Sequence, residues 1–223
     1  MDGAKMENYM KYDRYNVFVR KEFSSLINGI DTVFELGARN GLYTAQINHC
    51  YRPKRIFSFE CNPSSIIRCR DNISSVETAS FHPIAVVDYT GTIDFFQADS
   101  CRATDDGSSS IFNLSKLKRM KKTTVNCITL DDFCESENVL EIDLVCADIE
   151  GAEVRAFTDQ KILYNTRYII TEVQIDPNWK PECPTIEDLE SVICPYGFER
   201  VAYIDGCGSA GDALYVNKRL EKK

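Results

Sequence analysis

This sequence has no long hydrophobic run and very little histidine, and both absences exclude classes of protein. The longest stretch without a charged residue, 40–51, has twelve residues, which is too short to cross a bilayer. The first eleven residues alternate charged and polar side chains, unlike the apolar core of a secretory signal. The two histidines and ten cysteines include no Cys-x-x-Cys pair, so the ligand clusters of a zinc site are missing. We therefore expect a cytoplasmic protein with reduced, mostly buried cysteines.

Phosphate-binding patterns and an excess of positive charge are also missing. Gly37 and Gly41 have G-x-x-x-G spacing rather than the G-x-G-x-x-G of dinucleotide sites, and no Gly-Lys-Ser/Thr follows them. Lysine and arginine number 26 against 34 acidic residues, for a formal charge of −8. Because a nucleic-acid partner requires a basic face, we expect no nucleic-acid binding.

What the sequence does contain is an alternation of apolar runs and helical segments within 223 residues, the length of one domain. The pattern predicts an α/β fold: a mostly parallel sheet flanked by helices, closed by an antiparallel hairpin at the C-terminal edge. We expect an N-terminal helical extension over 1–30 and one ligand-binding domain over 31–223. The predicted strands are 32–36, 55–59, 80–87, 92–96, 123–130, 142–147, 167–173, 198–204 and 213–216. The turn 88–91 should join two of them, 80–87 and 92–96, as a hairpin.

Four acidic residues lie near the ends of predicted strands, namely Glu35, Glu60, Asp148 and Glu172. In parallel sheets, ligands bind outside the carboxyl ends of the strands. Carboxylates gathered there repel each other unless a cation, a hydrogen-bond donor or a ligand hydroxyl lies among them. The acids therefore predict the position of the binding site.

The first two of these acids indicate the kind of ligand. Glu35 precedes the glycine turn and would repel a phosphate, but it suits a cationic or amino group. Glu60 ends the second strand, where an acid accepts hydrogen bonds from ribose hydroxyls. Together with the glycines they suggest a nucleoside with a positive or zwitterionic tail, and S-adenosylmethionine is such a compound.

Five segments in order resemble the FkbM-type S-adenosylmethionine-dependent methyltransferases. The D-I-E-G-A-E segment is the most specific of the five, and the resemblance covers about residues 31–217. The segments are Glu35–Gly41 (ELGARNG), Glu60–Pro63 (ECNP), Gly107–Ser110 (GSSS), Asp148–Glu153 (DIEGAE) and Thr171–Val173 (TEV).

This resemblance implies a class I methyltransferase fold, which is Rossmann-like, and methyl transfer to an oxygen, often of a sugar. The acceptor is then a saccharide or glycoconjugate. An apolar wall at Ala85 is implied beside the adenine. The predicted cofactor-binding residues are Glu35, Gly37, Ala38, Asn40, Gly41, Thr44, Glu60, Cys61, Asn62, Ala85 and Asp148.

Methyl transfer to a sugar hydroxyl benefits from a general base within hydrogen-bonding reach. Asp148 is the first candidate, Glu150 the second and Glu172 the third. The same three carboxylates could instead hold a divalent cation, although no metal is predicted. Two other functions stay open: O-methylation of a non-sugar molecule, and a methyltransferase fold that binds without turnover.

Departures from the family pattern leave open the alternative of a methyltransferase fold that binds without turnover. Arg39 and Asn40 stand where the family tends to have asparagine and an aliphatic residue, and Cys146 replaces the usual lysine. The basic run Lys116–Lys122 (KLKRMKK) is interpreted as a solvated helix face, or else as a patch for an anionic acceptor. His82 is expected to be a structural histidine.

Overall fold

The computed structural model describes residues 16–98, 108–114, 119–206 and 208–221. Six α-helices lie in these ranges: α1 Lys21–Ser24, α2 Leu42–Tyr51, α3 Ile66–Ile73, α4 Leu130–Ser136, α5 Glu153–Phe157 and α6 Ile186–Ile193. The strands are β1 Thr32–Leu36, β2 Arg55–Phe59, β3 Ala79–His82, β4 Ala85–Val86, β5 Gly91–Ala98, β6 Met120–Ile128, β7 Ile142–Ala147, β8 Thr166–Gln174, β9 Phe198–Asp205 and β10 Ala210–Asn217. Single 3-10 turns cover Val17–Val19, Lys161–Asn165 and Cys194–Tyr196.

Seven strands form the main sheet in the order β3-β2-β1-β7-β8-β10-β9. The first five run parallel, while β10 is antiparallel to both β8 and β9. The predicted class I methyltransferase fold, with its antiparallel edge hairpin, is therefore confirmed. A second sheet of three strands has the order β4-β6-β5.

Helical segments cover both faces of the main sheet, and this explains why its central strands are buried along their whole length. Every residue of β1 and β7 is buried, as expected for parallel strands covered on both sides. Alternate residues of these strands belong to two hydrophobic cores, one on each face of the sheet. Phe34 packs with α4, α5 and α6 on one face, and Val33 packs with α2 and the N-terminal turns on the other.

The prediction of one strand over 80–87 is wrong. The chain divides there into β3, in the main sheet, and β4, in the second sheet. Pro83 lies between them, and its lack of an N–H group prevents a continuous ladder. The predicted hairpin between 80–87 and 92–96 is also wrong, because β5 pairs antiparallel with β6.

Two helical expectations differ from the structure. The predicted N-terminal helix is short in its described part: α1 ends at Ser24, and Leu26 just beyond it is 48% exposed. The basic segment is not a helix face in its described part, since Met120–Lys122 belongs to β6; residues 116–118 lie outside the described ranges. By contrast, Thr185 with Asp188 three residues later is a sequence pattern that predicts a capping box, and the structure has one at the start of α6.

Candidate active site

A pocket opens where the carboxyl edge of the main sheet meets the second sheet. It encloses about 830 Å³ of empty space, part of which is open to solvent. Its polar lining comes from the ends of β1, β2 and β7, and its apolar wall from β4, β5 and nearby residues. The lining residues are Leu36, Gly37, Arg39, Tyr43, Phe59, Glu60, Cys61, Asn62, Ile84, Ala85, Val86, Phe95, Ser109, Ile111, Asp148, Ile149, Glu150 and Ala152.

The glycine turn brings two strand ends together under the pocket. Gly37 has φ +87°, and a Cβ built on it would lie 2.0 Å from the carbonyl oxygen of Asp148. The strands that precede these residues, β1 and β7, are hydrogen-bonded neighbours. A side chain at position 37 would therefore separate them, and only glycine permits both this approach and this backbone conformation.

Glu60 is fixed at one end of the pocket by backbone hydrogen bonds. Its two carboxylate oxygens accept from the N–H of Arg39 at 2.7 Å and from the N–H of Asn62 at 2.6 Å. Charge-assisted bonds of this kind hold a carboxylate in place. The glycine turn and the strand end thus position the acid that the sequence predicts to bind a ribose.

The second sheet supplies the apolar wall, and a serine segment joins it to the polar end. Ala85 and Phe95 are buried and face the pocket. Ser109 accepts a hydrogen bond from Asn62 Nδ2 at 3.2 Å, and Ser110 donates one to the carbonyl oxygen of Glu150 at 2.8 Å. Gly107, in the same motif, lies outside the described residues.

Acidic residues gather around the end of β7; we call Asp148, Glu150, Glu172 and Asp212 the acid cluster, of which Asp148 and Glu150 line the pocket. Enclosure by protein raises the pKa of Asp148 well above its usual value, and repulsion from Glu172 and Glu150 adds to this. Burial, followed by repulsion from Glu150, raises the pKa of Glu172 to about 8. Burial raises the pKa of Asp212 to about 6. Groups perturbed in this way concentrate at functional sites.

Lys180, which the sequence reasoning did not single out, lies against this cluster. Its Nζ is 2.7 Å from Glu150 Oε2 and 3.9 Å from Glu172 Oε2. Lys180 lies in the loop after β8 and belongs to no sequence motif. The only notable sequence features of that loop are the neighbouring Trp179 and the prolines. Among the described residues, no group of three or more histidines, cysteines or acids is arranged to hold a metal ion.

Glu35 lies beneath the pocket rather than in its lining. It is fully buried, and its Oε2 accepts hydrogen bonds from Thr44 at 2.5 Å and Ser58 at 2.7 Å. Its Oε1 has no partner among the described residues. Burial raises the pKa of Glu35 to about 7, although both hydrogen bonds lower it. Cys146, which replaces the family's lysine, is its register neighbour on β7.

The other predicted residues divide into a lining set and a supporting set. Glu172 borders a small adjoining pocket together with Trp179 and Lys180. His82 packs on Phe59 and contacts Ser80, in keeping with a structural role. The predicted residues that line the main pocket are Gly37, Glu60, Cys61, Asn62, Ala85, Asp148 and Glu150, and those outside its lining are Glu35, Ala38, Asn40, Gly41, Thr44 and Glu172.

Several of the predicted residues outside the pocket lining shape the glycine turn after β1. Asn40 caps the first turn of α2 through Oδ1, which accepts from the N–H of Leu42 at 3.1 Å. Ala38 packs in a small core with Cys69 and Ile73. Gly41 leaves so little room that a Cβ there would lie 2.8 Å from the carbonyl oxygen of Cys69. These residues fix the backbone that carries the lining.

Sequence comparison finds a matching family model and a curated relative. The family model described as "Methyltransferase FkbM domain" matches residues 35–200. A curated relative, the 2-O-methyltransferase NoeI of Sinorhizobium fredii, is 27% identical over an alignment of 218 positions that covers 91% of this chain and 86% of that protein.

Solved structures show the same fold at low sequence identity. The N-methyltransferase NodS of Bradyrhizobium japonicum, in complex with S-adenosylhomocysteine, has a TM-score of 0.50 at 10% identity over 96% of this chain and 87% of that chain. TrmK of M. capricolum, also with S-adenosylhomocysteine, has a TM-score of 0.50 at 9% identity over 87% of this chain and 65% of that chain. In the described part of this chain, no helix has the length and apolar character to span a bilayer.

Proposed function

The chain belongs to the FkbM family of S-adenosylmethionine-dependent methyltransferases, and from that premise we propose that it methylates a hydroxyl group of a saccharide or glycoconjugate. The observation that carries this proposal is a pocket lined by Glu60, which follows β2, and by Asp148 and Glu150, which follow β7. The curated relative's name, 2-O-methyltransferase, supports oxygen as the receiving atom.

The pocket residues fit the three parts of S-adenosylmethionine. Ala85, Phe95 and Ile111 offer apolar surface for the adenine. Glu60, whose oxygens are already oriented by backbone N–H groups, is placed to accept from ribose hydroxyls. The acids at the far end favour a positive charge. When bound there, the cofactor supplies the electrophilic methyl group.

Asp148 is proposed as the general base. It borders the pocket immediately after β7, and it is exposed to the space that an acceptor would enter. Its raised pKa makes it a stronger proton acceptor once ionised, and a positive charge in the pocket favours that ionised form. A sugar hydroxyl is a weak nucleophile, so removal of its proton near the methyl group would assist the transfer.

Trp179 supports a saccharide as the acceptor. The ring lies in the loop that carries Lys180, beside Glu172, and is partly exposed. An aromatic face next to polar side chains suits a sugar ring, which has both C–H and O–H surfaces.

Two further proposals concern the N-terminal segment and the cellular compartment. We propose that residues 1–30 form an extension to the methyltransferase domain 31–223; within it, Phe18 and Phe23 are buried against the sheet. We also propose that the enzyme works in the cytoplasm. All the cysteines described are free thiols, as a reducing compartment would keep them.

The test is methyl transfer from labelled S-adenosylmethionine to a panel of saccharides, their 2-deoxy counterparts and non-sugar alcohols and phenols. We expect products heavier by one methylene group from saccharides, and none from the counterpart that lacks the receiving hydroxyl. Transfer to the non-sugar compounds alone would overturn the saccharide assignment. Cofactor binding in calorimetry without any transfer would indicate a binding module instead.

A further inference from the structure

Lys180 is buried in a place where a lysine needs compensation. Only 7% of the residue is exposed, although it lies in the loop between β8 and α6. Its ammonium lies 4.2 Å from the centre of the Trp179 ring. Taking a charged group out of water is costly unless a partner of opposite sign is near, so the function of Lys180 depends on what it contacts.

Its contacts are two of the three predicted catalytic carboxylates. The ammonium is in direct contact with Glu150 at 2.7 Å and lies 3.9 Å from Glu172. Although burial lowers the pKa of Lys180, Glu150 and Glu172 raise it by more, so the side chain stays charged. One ammonium therefore joins residues from the turn after β7 and from β8.

Packing of the loop backbone fixes this position. Cys183 donates from its N–H to the carbonyl oxygen of Lys180 at 2.9 Å, and its side chain packs against Gly151. A Cβ on Gly151 would lie 2.6 Å from Cys183 Sγ, so the glycine of the D-I-E-G segment makes room for the loop. Gln174 Nε2 donates to the same carbonyl oxygen at 3.1 Å.

The positive charge of Lys180 affects the ionisation of the neighbouring carboxyl groups. An opposite charge within about 4–6 Å favours the ionised form of a carboxyl group, and Lys180 lowers the pKa of both Asp148 and Glu172 against burial and mutual repulsion. Among the described residues, Glu150, Lys180 and Asp212 act on both carboxyls, Glu172 acts on Asp148, and Glu153 acts on Glu172. Tyr43 also interacts with Asp148, and Cys183 adjoins Lys180.

We propose that Lys180 is a positioning residue of the methyl-transfer site, which holds Glu150 by direct contact and places a positive charge beside Glu172 at the proton-accepting end of the site. Glu150 is then the anchor of the lysine rather than a proton acceptor. This inference rests on the proposed function, because it assigns the proton-accepting role to the carboxyls that remain.

The first experiment is the pH profile of methyl transfer for Lys180→Met, Lys180→Arg and the parent enzyme. Loss of the positive charge should move the acidic limb of kcat to higher pH by about one unit or more. Lys180→Arg should keep the limb near its original position because it restores the charge. A limb that stays unmoved in Lys180→Met would overturn the proposal.

A second readout needs no turnover. Titration of isotope-labelled glutamate carboxyl groups by NMR, in the free protein, should show the Glu172 transition displaced upwards in Lys180→Met. Should that variant fail to fold, the double variant Lys180→Met with Glu150→Gln removes the unpaired buried charge, and it is compared with Glu150→Gln alone because Glu150 itself raises the pKa of Glu172. An unchanged Glu172 transition in either comparison contradicts the proposal.

Lys54→Met is the matched control. Lys54 makes an equally short contact with Asp31, at 2.6 Å, but on the exposed surface at the other end of the strands. Its replacement should move neither the acidic limb nor the Glu172 transition. If the parent enzyme transfers no methyl group, the proposed function fails, while the NMR titration still decides the role of Lys180.

Discussion

The two ends of the pocket both present carboxylates, yet they place them in opposite environments. Glu60 accepts two backbone N–H groups that the fold supplies. The acid cluster at the other end has carboxyls that repel each other, with Lys180 against one side. Hydrogen bonds from fixed donors favour a charged carboxylate, whereas burial among like charges favours a proton. This difference in environment fits the roles that we propose, which are binding at one end and proton transfer at the other.

Replacement of Asp148 should produce the largest effect. Asp148→Asn removes the proton acceptor and leaves the shape of the pocket, so kcat with saturating cofactor should fall at least about a hundredfold. Single-turnover methyl transfer measures this directly. Asp94→Asn, at an exposed position in β5, serves as the control. Full activity of Asp148→Asn would remove the functional distinction between the two ends.

Glu60 should affect affinity rather than turnover. Glu60→Gln keeps the volume but removes the charge and one acceptor for the N–H groups of Arg39 and Asn62. Hydrogen bonds to charged groups contribute about 1.5–3 kcal/mol, so binding of S-adenosylhomocysteine should weaken about ten- to a hundredfold in calorimetry. Unchanged affinity, or a loss confined to kcat, would contradict a binding role.

Glu35 adds a third environment to the comparison, because it is buried with two hydrogen-bond donors and, among the described residues, no charged partner. Its pKa is raised from 4.5 to about 7, so the folded state retains the proton more strongly than the unfolded chain. The associated stability is complete below about pH 4.5 and is lost as the pH rises through about 7.

With Glu35→Gln, the free energy of unfolding should therefore fall less steeply between about pH 4.5 and about pH 7. At pH values above the folded pKa, it should raise the free energy of unfolding by about 1–3 kcal/mol relative to the parent, since no charge is then buried. Urea unfolding at several pH values measures both effects. Glu199→Gln, at an exposed position of β9, controls for the loss of one negative charge. An unchanged slope in Glu35→Gln would show that Glu35 is ionised throughout.

Much of the fold could be predicted because its signals are local. The bounds of β1, β2 and β7 follow from apolar runs that are buried on both faces, and the start of α6 follows from its capping box. The error at 80–87 arose where one apolar run serves two sheets, since no local pattern distinguishes one partner strand from another.

Part of the site could also be predicted, because its signals are likewise local in the sequence. Glu60 and Asp148 directly follow predicted strands, and parallel strands bring their carboxyl ends to one edge. The burial of Glu35 was not predictable, because its distance from the pocket depends on how α2 places Thr44 over β1. Lys180 lies 30 residues from Glu150, in a loop whose course depends on packing against Gly151.

The sequence by itself determined which residues form strands and which acids end them, because hydrophobic periodicity and turn chemistry act over a few residues. Tertiary structure decided the environment of each acid: backbone donors for Glu60, enclosure without a cation for Glu35, and a lysine from a distant loop for the acid cluster. The reason is physical. The charge state of a carboxyl group depends on solvent exclusion and on charges within a few ångströms, and the folded chain alone brings those together.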